Sequence, residues 1–153
     1  MMTAPHMVTG AAIGSMSRRL WLILPIAFVS HFALDFIPHV EASVFFAGRP
    51  YWVMALVAVL SASLGIGLVI WACYRKPKWK TMCAGALIGI SPDLVDRAFG
   101  FDRVSQWPAT AWLFHFHHSS MFHHSLPDSE WRIGLPTQIA VLAIALWVAR
   151  RNG

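Results

Sequence analysis

Charged residues are scarce in this chain, and so are cysteines. Only 12% of the 153 residues are charged, against roughly a quarter in a typical globular domain, while 57% are hydrophobic and the mean hydropathy is +0.56. Cys73 and Cys83 lie ten positions apart without a C-x-x-C motif, which excludes a thiolate zinc knuckle and gives no disulfide framework. The sequence also lacks a P-loop and a dinucleotide-binding fingerprint. The scarcity of charge excludes an ordinary soluble domain and indicates a single membrane domain over residues 1–153.

Four apolar stretches approach the roughly 20 residues that a membrane-spanning helix needs. They cover residues 20–38, 51–74, 81–100 and 133–149, and Ser91-Pro92 predicts a break in the third. The apolar residues before Arg18 predict a short helix that enters the membrane without crossing it. The predicted fold is an all-α integral membrane protein with about four transmembrane helices, a short N-terminal helix and a histidine-rich outward loop.

Basic residues outnumber acidic ones by 12 to 7, and their placement explains the net charge of +5. Eight of the 12 flank the predicted spans: Arg18, Arg19, Arg75, Lys76, Lys78, Lys80, Arg150 and Arg151. Because flanking Lys and Arg tend to stay cytoplasmic, we expect a multi-pass protein of the bacterial inner membrane, N-in and C-in, with its acids outward. A cleaved signal peptide is the alternative for the first span, but no A-x-A site follows it. The expected partners are the bilayer and a small-molecule or lipid substrate, not nucleic acid, and a homo-oligomer stays open.

The end of the first predicted span carries ionisable side chains on one helix face. His31 and Asp35 are four residues apart, so both can reach one metal ion. Pro38 predicts the end of the helix, with His39 at its mouth. Ionisable groups inside a bilayer are costly and usually functional, which favours a site over a polar pair that merely satisfies itself between helices.

A second acidic pair follows the predicted break in the third span. Ser91, Pro92 and Asp93 have the order of an N-cap, a first helical position and a first-turn acid. Asp93 and Asp96, three apart, would share a helix face. Capping alone is the alternative for Asp93, and pairing with a nearby arginine is the alternative for Asp96.

The densest feature is a run of five histidines within ten residues: His115, His117, His118, His123 and His124. Neutral imidazole is a common ligand of zinc and iron, so a shared metal is the economical explanation. On a helix His117 and His124 nearly coincide in angle and His118 lies beside them, while His115 and His123 point elsewhere. An adventitious metal-binding surface and a pH-sensitive patch are the alternatives.

In the predicted topology these three groups reach the same side of the membrane. The expected metal ligands are His31, Asp35, Asp93, His117 and His124, then His39, with His6, His115 and His123 as further candidates, His6 if the N-terminal segment re-enters. Asp96 and His118 are the candidate catalytic residues for proton transfer. The donor set lacks thiolate, so we expect a divalent metal, zinc first and manganese or iron as alternatives, with one or two ions bound.

Four stretches resemble a known family. They are His6 to Ala12, Ser30 to Asp35, Ser91 to Leu94 and the distal His-Ser pairs. Together these resemble the small bacterial membrane-bound metal-dependent hydrolases, also described as LexA-binding inner-membrane-associated hydrolases. The resemblance implies an early histidine, a proline-aspartate turn and a helical His-x-x-x-Asp in one metal-dependent site.

The favoured function is therefore a membrane-bound metal-dependent hydrolase acting on a phosphoester or lipid-linked substrate near the outer interface. A non-haem di-iron oxidase or hydroxylase is the second hypothesis, because such enzymes carry histidine boxes at membrane surfaces. A non-catalytic metal-binding membrane protein is the third.

Overall fold

A computed structural model describes residues 1–41, 50–99, 106–108, 111–117, 124–127 and 130–153. Within those ranges the chain is all-α, as the sequence predicts, and its extended pairing is one isolated bridge between His39 and Ser125. The helices are α1 (Thr3–Met16), α2 (Leu20–Asp35), α3 (Tyr51–Cys73), α4 (Trp79–Gly89), α5 (Ser91–Phe99), α6 (Ala111–His117) and α7 (Trp131–Asn152). The break predicted at Ser91-Pro92 corresponds to the boundary between α4 and α5.

The short first helix lies at the centre of the bundle. α1 packs against α2, α3, α4 and α7, and its side chains are buried along nearly its whole length. Eight of its 14 residues are alanine, glycine, serine or threonine, and such small residues let neighbouring helix backbones approach closely. The sequence therefore predicts the helix correctly, but its central position follows only from the packing.

The crossing of α1 and α4 depends on two facing glycines. A Cβ atom placed on Gly10 would overlap the Gly85 carbonyl, and one placed on Gly85 would overlap the Gly10 carbonyl. Both obstacles are backbone atoms, which cannot rotate away as a flexible side chain can. These two helices can pack this closely only without side chains at the crossing point.

We expect Gly10→Ala to destabilise the protein by about 3 kcal/mol, because the added methyl forces the two helices apart. Gly67→Ala is the matched control, since a Cβ atom at Gly67 meets nothing within 4 Å. The control should be neutral or stabilising by up to about 1 kcal/mol, as expected for alanine in a helix. Thermal unfolding in detergent measures both, and equal melting temperatures for the two variants would contradict this packing.

In the part of the chain that the structure describes, two helices are long and apolar enough to cross a membrane: Ala55–Cys73 within α3, and Trp131–Asn152, which is α7. α2 is also apolar but shorter, at 16 residues, and the third predicted span is divided between α4 and α5. Within the described ranges, two of the four predicted spans thus have the required length and hydropathy. Large apolar side chains on α3 and α7, such as Leu60, Ile70 and Ile144, are exposed.

The basic cluster at the junction of α3 and α4 consists of Arg75, Lys76, Lys78 and Lys80, and its lysines bind the ends of two other helices. Lys78 Nζ donates hydrogen bonds to the carbonyl oxygens of Ser15 and Asn152, and Lys76 Nζ donates to that of Arg150. These carbonyl groups belong to the last turns of α1 and α7, where carbonyl oxygens have no hydrogen-bond donor within their own helix. The lysines therefore satisfy helix ends as well as flanking a predicted span.

The packing of α1 defines the direction of this helix, which the charge pattern leaves open. Met1 lies beside Asp35, at the end of α2, whereas Arg19 immediately precedes the start of that helix. The 14 residues of α1 extend about 21 Å, nearly the length of α2, so α1 returns along its neighbour. The residues before Arg18 thus reach the end of the bundle opposite the basic cluster, which brings His6 toward His31 and Asp35.

Candidate metal site

Three side chains from three helices form the centre of the candidate site. His6 of α1, His31 of α2 and Asp93 of α5 each place one ligand atom so that all three atoms lie within 4.8 Å of one another. The imidazole rings of His6 and His31 stack, with centroids 4.1 Å apart. Both histidines are buried, while 20% of the Asp93 side chain is exposed. The site is therefore enclosed by helices and accessible through Asp93.

Asp35 joins this group from α2. Its Oδ1 lies 3.2 Å from His6 Nε2, and its Oδ2 lies 3.4 Å from His31 Nε2. The i, i+4 spacing predicted that His31 and Asp35 share a face, and the structure has them in contact. Two imidazoles and the carboxylates of Asp35 and Asp93 thus meet in a mostly buried space without thiolate, a donor set suited to zinc, manganese or iron.

The orientation of His31 is set by a backbone carbonyl. Its Nδ1 lies 2.9 Å from the Gly89 oxygen at the end of α4. A carbonyl oxygen can only accept, so Nδ1 carries the proton, and in neutral imidazole Nε2 then has a lone pair. That lone pair faces Asp35 Oδ2 at 3.4 Å and Asp93 Oδ1 at 3.5 Å. A lone pair and two carboxylates repel one another unless a proton or a metal cation lies between them.

His6 is a buried imidazole whose ring nitrogens make no well-aligned hydrogen bond. It is 1% exposed, and its Nε2 only contacts Asp35 Oδ1 at 3.2 Å, while its Nδ1 has no partner among the described residues. His6 lies outside the two candidate membrane spans. Burial, and to a smaller extent the neighbouring His31, lowers the pKa of the His6 imidazole to about 4. The ring is therefore neutral at physiological pH, which is the form that binds metals. Buried polar groups normally have partners, so a metal ion would satisfy a nitrogen that is otherwise unpaired.

A second polar group adjoins this centre beyond the end of α2. His39 Nδ1 lies 2.8 Å from the Ile37 oxygen, so its Nε2 is also left as an acceptor. That Nε2 lies 2.7 Å from the Met1 amino nitrogen, which also donates to Asp35 Oδ1 at 2.7 Å. Glu41 Oε1 is 3.6 Å from His39 Nε2. His39, itself a predicted ligand, is connected to the centre through the Met1 amino group and Asp35.

The end of the histidine-rich loop is fixed against the end of α2. The His124 backbone N–H donates to the backbone carbonyl oxygen of Asp35 at 3.0 Å, and the backbone carbonyl oxygen of His124 accepts from the His39 backbone N–H at 3.1 Å. His124 Nδ1 lies 2.7 Å from the Phe36 oxygen. The loop therefore reaches the site, with its backbone supporting the segment that carries Asp35 and His39.

The other histidines of the loop are described only in part. His115 lies on α6 with an exposed side chain. His117 ends α6, and its side chain lies outside the described part of the chain, as do His118 and His123 entirely. The predicted roles of all four histidines remain predictions, that of His115 included.

The capping predicted for α5 takes a different form. The Ser91 hydroxyl donates to the Ile88 oxygen at 2.8 Å, so it is used on the preceding helix, α4. Asp93 is in the first turn of α5 and lies beside His31. Asp96 follows it by about one turn of the same helix, where its proposed role in proton transfer is untested.

Sequence reasoning missed two residues around the site. The predicted topology places Glu41 only among the outward acids, although the order His39-x-Glu41 after a helix end indicates a polar group beside the site. Gln138 is 4% exposed within α7 and donates through Nε2 to the Val40 oxygen at 2.8 Å. A single amide inside an apolar span was the available signal for Gln138.

Comparison with known proteins adds no relative. No protein-family model, no curated protein and no solved structure gives a significant match to this chain. The site is therefore interpreted from its own residues.

Proposed function

We propose that this protein is a membrane-bound metal-dependent hydrolase of phosphoesters or lipid-linked substrates. The observation that carries the proposal is the surroundings of His31: Nδ1 lies 2.9 Å from the Gly89 oxygen, and two carboxylate oxygens lie within 3.5 Å of Nε2. Metal-binding histidines commonly donate their other nitrogen to a carbonyl or carboxylate in this way. The resemblance of the sequence to membrane-bound metal-dependent hydrolases supports this proposal, and membership of that family is part of what we propose.

The residues at this centre have different proposed roles. His6, His31 and Asp93 would hold the metal, with zinc as our proposed identity, and Asp35 would be a further ligand or a base beside it. A bound divalent metal supplies a nucleophilic water at neutral pH and polarises the scissile bond. Gly89 fixes the ring of His31, and burial of the two imidazoles keeps bulk water away from the ligands. The partly exposed Asp93 is the side from which solvent water would reach the metal.

We further propose a multi-pass position in a bacterial inner membrane, with the site facing outward. The two long apolar helices and the separation of the site from the basic cluster support this arrangement. Arg150 lies over the ring of Trp71 at 4.6 Å, and Arg151 lies over Trp147 at 5.1 Å. Tryptophan and arginine are typical of the membrane–water interface. α2 and the α4–α5 pair would complete the four predicted spans within the bundle.

We expect the purified protein to hydrolyse phosphoesters only when it contains a metal. Treatment with a chelator should lower the rate of hydrolysis at least about a hundredfold, because the metal supplies the nucleophile. Adding back zinc or manganese should restore the rate. A panel of phosphomonoesters and phosphodiesters in detergent tests this, with oxygen consumption monitored in parallel. Hydrolysis that survives chelation would contradict the proposal, and an iron-dependent uptake of oxygen would replace it with an oxidase.

A further inference from the structure

An apolar groove lies between α1, α3 and α7. It has a cavity volume of about 300 Å³, and its walls include Ala4, Pro5, Leu60, Leu64, Ile139 and Leu142. This volume is at the lower end of the range for small-molecule sites. α3 and α7 are the two helices that are long and apolar enough to cross a membrane, so in a bilayer the groove would lie among hydrocarbon chains.

The groove is joined to the candidate metal site through two of its own lining residues. Met2 and Gln138 both line it, and the Met2 N–H donates to Gln138 Oε1 at 3.0 Å. Met2 directly follows Met1, whose amino nitrogen contacts Asp35 and His39. The Gln138 amide also contacts Val40, the residue between His39 and Glu41. The groove thus begins one residue away from the polar groups of the site.

The polar atoms in the groove wall are already used. Gln138 uses its oxygen on Met2 and its nitrogen on Val40, and the Ser61 hydroxyl accepts from the Ala4 N–H at 3.2 Å. The rest of the lining is hydrocarbon, with the thioether of Met2. A polar ligand would therefore gain nothing here, whereas a hydrocarbon chain would contact alkyl groups on all three helices.

We propose that this groove holds the hydrocarbon chain of a single-chain lipid phosphoester whose phosphate lies at the metal site. The inference rests on the proposed function and narrows its substrate class. A divalent cation held by His6, His31 and Asp93 would attract the anionic phosphate, and the connection through Met2 and Gln138 would direct the chain between α3 and α7. The lining of α3, from Val57 to Leu64, covers about 10 Å along the helix, so part of the chain extends beyond it.

Filling the groove tests this assignment. Leu64→Trp places a large ring in it, and Ile66→Trp is the matched control because Ile66 lies on the same helix outside the groove with similar exposure, 49% against 53%. The probe is dodecyl phosphate with a diazirine in the middle of its chain, irradiated with the protein in phosphatidylcholine nanodiscs. Cross-linked residues are then mapped by mass spectrometry.

We expect cross-links at Leu60, Leu64, Ile139 and Leu142, and at least about a fivefold loss of these in Leu64→Trp but not in Ile66→Trp. The Leu64→Trp change should also raise the KM for dodecyl phosphate about tenfold and leave the KM for a short, water-soluble phosphoester unchanged. Equal labelling of groove residues and of the exposed Ile70 and Ile144 would overturn the inference. Specific labelling without any hydrolysis would support the groove assignment and reject the proposed function, so the two failures are distinguishable.

Discussion

Replacing His31 by alanine is expected to remove the metal and reduce phosphoester hydrolysis to background. Even partners that merely orient metal ligands contribute ten- to a hundredfold to affinity, so loss of a ligand itself should weaken binding by at least about a hundredfold. The change also removes the hydrogen bond to the Gly89 oxygen and leaves a cavity at a side chain that is 0% exposed. We therefore expect an additional loss of about 2–4 kcal/mol in the free energy of unfolding.

Metal content and initial rate are measured side by side for this variant. His115→Ala is the matched control, because His115 is a histidine with an exposed side chain on α6. His31→Gln provides a polar replacement if the alanine variant does not fold. A His31→Gln protein that folds, retains its metal and retains its rate would show that His31 is not a ligand.

Replacing His6 by leucine is expected to have opposite effects on metal binding and on stability. The variant should lose at least about a hundredfold in metal affinity, since it removes one of the three central ligands. Its metal-free form should nevertheless be stabilised by about 1 kcal/mol. Leucine is close to histidine in size, and the change removes two buried nitrogens that make no well-aligned hydrogen bond. The contact of Nε2 with Asp35 Oδ1 is lost as well, but this oxygen keeps the hydrogen bond from the Met1 amino group at 2.7 Å. A residue retained only for packing would not show this combination.

The same substitution at His39 is the control for that result. Both ring nitrogens of His39 are engaged, with the Ile37 oxygen and with the Met1 amino nitrogen. Leucine would leave these partners unsatisfied, so His39→Leu should destabilise the metal-free protein by about 1–3 kcal/mol. Chemical unfolding after exhaustive chelation compares the two. If His6→Leu is as destabilising as His39→Leu, the nitrogens of His6 have a structural role and the interpretation of the site fails.

Part of this site was predictable because it depends on local periodicity. His31 and Asp35 share a helix face by virtue of their spacing, and Pro38 predicts that the helix ends nearby; in the structure α2 ends at Asp35. The break before Pro92 is local in the same sense, since proline cannot continue normal helical hydrogen bonding. Such features need only the geometry of a single helix.

His6 could not be ranked from the sequence, because its role depends on which way α1 runs. Short apolar helices carry no signal for their partners. The contact between Gly10 and Gly85, which fixes the position of α1 beside α4, joins residues 75 positions apart. The sequence therefore predicts His6 as a ligand only if the N-terminal segment re-enters the membrane, whereas the packing of α1 places His6 at the centre of the candidate metal site.

The histidine-rich loop has a strong sequence signal that does not by itself locate the metal site. Five histidines in ten residues give the densest chemical signal in the chain, but density along a sequence does not measure distance from a site. His124 contacts the end of α2 through its backbone and its Nδ1, and His115 is exposed on α6. Asp93, which carried a weaker signal, lies within 3.5 Å of His31 Nε2.

The most direct test of this account is the metal content of tag-free protein purified in detergent, measured by inductively coupled plasma mass spectrometry. The unchanged protein, the His31→Gln variant and the His115→Ala control are compared. We expect at least one zinc or manganese ion per chain in the unchanged protein and the control, and its loss in His31→Gln. Equal metal content in all three, or no stoichiometric metal in any of them even after incubation with zinc and manganese, would contradict a metal centre at His6, His31 and Asp93.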